Sequence, residues 1–145
     1  MRQLRFYLFL LYCFMCLSCK QSNQMITTDS TYETHQFGFS QAIVVNDFVF
    51  ISGQVGWDLN HQLVDAENFE LELLKAFDNL ANIIGAANSS IDKIVLLRFY
   101  VKNLDSTKRQ LIGRIINTYY PNDYKPASTL IGVETLAREN FINRN

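Results

Sequence analysis

The stretch Gly38-Phe39-Ser40-Gln41-Ala42-Ile43-Val44-Val45-Asn46-Asp47-Phe48-Val49-Phe50-Ile51-Ser52-Gly53-Gln54 decides how this chain of 145 residues is read. Two apolar runs, residues 42–45 and 48–52, flank Asn46 and Asp47. Both turn residues tolerate positive φ, as a two-residue hairpin turn demands. Val, Ile and Phe on either side suit a pleated, half-buried surface. The pattern predicts a β-hairpin, with Gly53 closing its second strand where a Cβ would obstruct a neighbouring backbone or a ligand.

Beyond the hairpin the period changes. Residues 56–67 carry Gly, Asp, Asn and His around Leu59, Leu63 and Val64, which predicts a loop with at most a short strand. From Asn68 to Ala87, Phe69, Leu73, Phe77, Leu80, Ile84 and Ala87 recur at three- and four-residue steps, the signature of an amphipathic helix. Asn68 is its N-cap, and Asn88-Ser89-Ser90 ends it. Residues 94–101 read as a strand with Val95, Leu97, Phe99 and Val101 on one face and Leu96, Arg98 and Tyr100 on the other. Asp105 caps a second helix running to about Tyr119, with Leu111, Ile112, Ile115, Ile116 and Tyr119 inward and Pro121 beyond its end. Pro126 precedes a strand over 127–133, and a last strand is expected near Phe141. The result is an α+β domain with a mostly antiparallel sheet and two helices on one face.

Length allows one domain, and a 48% hydrophobic composition supplies its core. The formal net charge is −1. That balance argues against nucleic acid, which calls for a lysine- and arginine-lined surface. The only cysteines are Cys13, Cys16 and Cys19, embedded among Phe, Leu, Tyr and Met behind Arg2 and Arg5. Their spacing suits a metal site, but the surroundings lack a polar frame, and a basic start followed by a short apolar run describes an export signal. Leu17-Ser18-Cys19 before a polar stretch resembles a bacterial lipoprotein cleavage box, although Cys16 occupies the place usual for Leu. The expected organisation is a signal at 1–19 with Cys19 lipidated, a flexible tether at 20–34 and a domain at 35–145. The expected location is the bacterial cell envelope, as a membrane-anchored lipoprotein; the alternative is a periplasmic or secreted protein.

Gly38-Phe39-Ser40-Gln41-Ala42-Ile43, Ile51-Ser52-Gly53-Gln54-Val55, Asn79-Leu80, Arg98-Phe99-Tyr100-Val101 and Pro126-Ala127 stand in the order of blocks in the RidA/YjgF family, which this sequence resembles over about residues 34–142. The resemblance implies a chorismate-mutase-like fold and a homotrimer binding a small imino- or oxo-acid-like metabolite in intersubunit clefts, with no cofactor and no metal. Active family members hydrolyse 2-imino acids and their enamine tautomers to 2-oxo acids and ammonia. An arginine after Pro-Ala clamps the carboxylate, since a guanidinium matches that planar anion. A glutamate about fifteen residues later activates water. The chain ends at Asn145, several residues earlier than the family pattern, which implies a short final strand or a truncated reading frame.

Transferred residue by residue, the arginine position is Ser128, the glutamate position is Asn143 and the pocket tyrosine is Phe39, while Ser52, Gly53 and Gln54 are retained. Loss of one charge-assisted hydrogen bond costs about 1.5–3 kcal/mol, roughly ten- to hundred-fold in affinity. Neutral Asn143 orients water but accepts no proton. The expectation is a metabolite-binding protein with weak or absent imine deaminase activity. The alternative is an active deaminase in which another cation serves, with Arg98 ahead of Arg138 and Arg144. Nucleic-acid cleavage is the third reading. His35 and His61 lie in polar loop stretches and are expected to be solvated. Trp57 is expected to anchor a loop on the core. Ser40 and Ser52 form no nucleophile elbow, and Asp58, Asp65 and Glu67 have no metal-ligand spacing.

Overall fold

A computed structural model describes residues 23–137. Its elements are β1 (Gln24–Ile26), β2 (Ala42–Val45), β3 (Phe48–Ile51), α1 (Phe69–Ala86), β4 (Leu96–Lys102), α2 (Ser106–Tyr119) and β5 (Ala127–Val133), with short 3-10 turns at His35–Phe37 and Ile91–Lys93. This is the α+β fold that the periodicities predict.

The hairpin forms as read: Val45 pairs with Phe48 and Ala42 with Ile51 across a two-residue turn. Only Asn46 takes positive φ, at 53°. Asp47 stays on the ordinary side, and β3 ends one residue earlier than the apolar run. Both helices are capped as their sequences indicate. The Asn68 side chain accepts from the amides of Glu70 and Leu71, and Asp105 accepts from Lys108 N. Each carboxyl or amide oxygen satisfies a first-turn donor that the helix itself cannot.

The segment at 23–34, expected to be a tether, belongs to the domain instead. β1 pairs antiparallel with β2, and Ile26, Thr31, Tyr32 and Thr34 are buried. Three residues are too few to show a strand period. The Gln41 side chain fastens the chain just after β1: its Oε1 accepts from Thr28 N at 2.7 Å, and its Nε2 donates to Thr28 O and Tyr32 O at 3.2 and 3.0 Å.

The second departure concerns strand direction. β4 and β5 pair in parallel, from Leu96 opposite Ala127 to Lys102 opposite Val133, with α2 as the crossover that a parallel pair requires. The described residues therefore make a three-stranded antiparallel sheet and a two-stranded parallel one rather than one mostly antiparallel sheet. The last strand expected near Phe141 lies outside the described residues.

One face of each sheet packs on the helices. Leu73 and Phe77 of α1 join Val101 of β4 and Leu111, Ile112 and Ile115 of α2. Further along α1, Ile83 meets Ile26 and Ala42. Nothing among the described residues covers the opposite, apolar faces: Met25, Ile43 and Phe50 align in one row across β1, β2 and β3, and Leu96, Tyr100 and Ile131 lie on the β4–β5 pair.

Candidate functional site

The hairpin and the segment leading into it enclose an open cleft of about 400 Å³. Phe39, Ile43 and Phe50 supply its rings and aliphatic wall, and Gly38, Ser40 and Ser52 its polar edge. Ser52 is tied down twice: its amide donates to Gln41 O at 3.0 Å and its Oγ to Ser40 O at 2.6 Å. Gln54 Nε2 donates to Ser52 O at 2.9 Å, while its Oε1 is buried with no hydrogen-bond partner among the described residues.

Phe39 is held from behind. Thr34 Oγ1 donates to Phe39 O at 2.9 Å, and Phe37 stacks against the Phe39 ring at 6.3 Å between centroids. Behind Phe37 lie Tyr32, Trp57 and His61. Trp57 is buried, as expected of an anchor. His61 stays partly exposed, as its polar neighbours suggest, but it is not free. Its ring stands edge-on to Phe37 and Trp57, and its Nε2 lies 2.7 Å from Glu33 O. Burial pushes the Tyr32 hydroxyl up to about 12, so it remains a neutral donor, with Gly53 O at 3.5 Å.

The loop after Gln54 is fastened to α1. Asn79, fully buried, donates from Nδ2 to Val55 O at 3.0 Å and Trp57 O at 2.9 Å. Gly56 lies against Glu72, about two turns before Asn79 on the same helix. Burial raises the Glu72 carboxyl above the usual carboxylate range, and the charge of Lys108 offsets part of that. Gly53, the glycine expected to be sterically constrained, has nothing among the described residues within 4 Å of an added Cβ. The constraint sits three residues later. The sequence reading missed this stripe; the four-, three- and four-residue steps between Glu72, Ala76, Asn79 and Ile83 are the signal that could have found it, though not its partner loop.

Of the residues singled out from sequence, the fold brings Phe39 and Ser52 into the cleft and sets Gly53 and Gln54 beside it. Ser128 and Arg98 lie on the other sheet, both exposed. Ser128 is opposite Leu97 in the ladder and Arg98 is opposite Thr129. Neighbouring positions on a strand point to opposite faces, so Arg98 and Ser128 face opposite ways. Arg98 therefore does not restore a cation at the Ser128 position within one subunit. Asn143, Arg138, Arg144 and Cys19 lie outside the described residues. No cluster of His, Cys, Asp or Glu among the described residues has the arrangement to hold a metal. Among the described residues the cleft lining contains no titratable side chain; what they supply can stack and orient a ligand.

The profile of the endoribonuclease L-PSP family matches residues 33–142. The chain belongs to this family, also called RidA/YjgF or RutC. It is 30% identical over 99 residues to a RutC family protein of Aquifex aeolicus, covering 68% of this chain and 77% of the relative. It is 22% identical over 100 residues to a protein of Dermatophagoides farinae named 2-iminobutanoate/2-iminopropanoate deaminase, covering 69% and 76% of the two chains. The crystal structure of RidA from an Antarctic Psychrobacter superimposes with a TM-score of 0.68 at 28% identity, covering 79% of this chain and 89% of the other. The RidA-family fold thus accounts for the hairpin, the two helices and the parallel β4–β5 pair together.

Proposed function

We propose that this RidA-family protein binds a small imino- or oxo-acid-like metabolite in clefts completed by neighbouring subunits, with imine deaminase activity weak or absent. The observation that carries this reading is the chemistry of the cleft. Among the described residues its lining is apolar and hydroxylic without a charge, and serine stands at 128, where the family has its carboxylate-binding arginine. Asn143 at the glutamate position removes the proton acceptor as well. No cofactor or metal is invoked. The second reading is an active deaminase. It draws on the mite relative's name and on the exposed Arg98 guanidinium, which could reach a ligand held by a neighbouring copy. The endoribonuclease label of the family is the third, and a net charge of −1 disfavours it.

A coupled assay separates the first two. An amino acid such as serine is converted to its imino acid with and without the purified domain, and the lifetime of the imine is followed. The expected result is an unchanged lifetime for the wild type and faster hydrolysis after Ser128→Arg together with Asn143→Glu. Clear acceleration by the wild type, abolished by Arg98→Ala, would establish the second reading.

The uncovered apolar sheet faces support a homotrimer, because contiguous exposed Met, Ile, Phe and Leu side chains are costly in water. The Cys19 motif supports export and a lipid anchor. Both parts are checked on one preparation: a solution mass of three chains, and transfer from the membrane to the soluble fraction on Cys19→Ala. A monomeric mass, or a Cys19→Ala protein still in the membrane, would refute the corresponding part.

A further inference from the structure

We infer that His61 is a positioning residue that holds the Phe39 wall of the cleft in place. The inference rests on reading that cleft as the ligand site. His61 sits at φ 60° in a turn closed by Asp58, whose Oδ1 accepts from the amides of Asn60 and Gln62, both at 2.9 Å. A β-carbon residue in the left-handed region carries a strain that its surroundings must offset. The offset is visible. The ring lies 5.2 Å from Phe37 and 5.4 Å from Trp57 at nearly right angles, and 5.9 Å from Tyr32. Edge-to-face packing at these separations is favourable beyond the area buried.

The ring also makes a bond across 28 residues of sequence. Nε2 stands 2.7 Å from Glu33 O, and a carbonyl only accepts, so Nε2 carries the hydrogen. Glu33 in turn stands just before the 3-10 turn that leads to the cleft. Its carboxylate accepts from His35 N and from Gln36 N, and these bonds hold its carboxyl below the usual carboxylate range. The turn closes with Phe37 N donating to Thr34 O and Gly38 N to His35 O, and Gly38 takes φ 84° before Phe39. Residues 33–39 thus form one unit, pinned by His61 at its start and by Thr34 Oγ1 at Phe39. A loop from the far side of the hairpin sets where the aromatic wall stands.

Amide hydrogen exchange on the full-length protein tests this without any ligand. In His61→Ala, exchange at Phe37 and Gly38 is expected to rise at least about tenfold, with protection in α1 and the hairpin retained. His61→Gln, whose Nε2 reaches Glu33 O as the imidazole does, is expected to restore most of the protection, and His61→Phe, keeping the ring alone, to restore only part. Unchanged exchange at Phe37 and Gly38, or an equal rise throughout the domain, would overturn the inference, as would Phe restoring as much as Gln. A titration with 2-oxobutanoate judges the ligand-site reading separately. Failure of the wild type to bind it counts against that reading, while the exchange pattern alone decides the role of His61.

Discussion

Gly56→Ala is expected to destabilise the domain by about 3 kcal/mol, at the upper end of what overpacking costs. An added Cβ would stand 2.6 Å from Glu72 Cγ, 2.7 Å from Glu72 O and 2.8 Å from Glu72 Cα. Rotating the glutamate clears only the first of these contacts. The other two are helix backbone, so the loop must lift away from α1. Lifting the loop pulls on the Asn79 bonds to Val55 O and Trp57 O and on the aromatic cluster behind Phe39. The loss is read as a lower urea midpoint at unchanged slope. Gly53→Ala is the control: an added Cβ there meets nothing among the described residues within 4 Å, and a change within about 0.5 kcal/mol is expected. A neutral Gly56→Ala, or equal losses at the two glycines, would show that the close approach contributes nothing.

Asn79→Ala is expected to cost about 2–4 kcal/mol: it removes the buried amide that donates to Val55 O and Trp57 O, a loss worth about 1–3 kcal/mol, while Val55 O keeps its bond from Trp57 N. The cavity left by the amide adds to this, whereas relief of the unpaired Asn79 Oδ1 subtracts. Asn82→Ala supplies the comparison. Its Nδ2 donates to Ser30 O at 2.9 Å on the exposed side of the same helix, where water replaces the lost partner. That variant is expected to lose less than about 1 kcal/mol. Should Asn79→Ala fall as low, the loop would be held by its own packing and not by the helix amide.

These two positions mark how far the sequence could be read. Asn79 was visible as part of a family-like block, but nothing in that block named the carbonyls it meets. Gly53 was read as the glycine with no room for a Cβ, and the fold assigns that role to Gly56, because the limiting atom belongs to a helix sixteen residues further on. The site divided in the same way. Phe39 and Ser52 were recognisable from local blocks and do line the cleft. Arg98 and Ser128 could be named as residues, but their opposite facing follows only from the β4–β5 register.

What the sequence alone determined is whatever closes within a few residues: the Asn46-Asp47 turn, the Asn68 and Asp105 caps, and the three-to-four spacing that makes two helices amphipathic. In each, the partner groups lie at most four positions away, so residue type and spacing contain the whole interaction. The tertiary structure alone decided the pairing of Gln24–Ile26 with β2, the parallel return of β5 beside β4, and the bond from His61 to Glu33. These join groups far apart in the chain, and which of many possible distant partners wins depends on how the core packs, a property of the whole fold and of no single stretch.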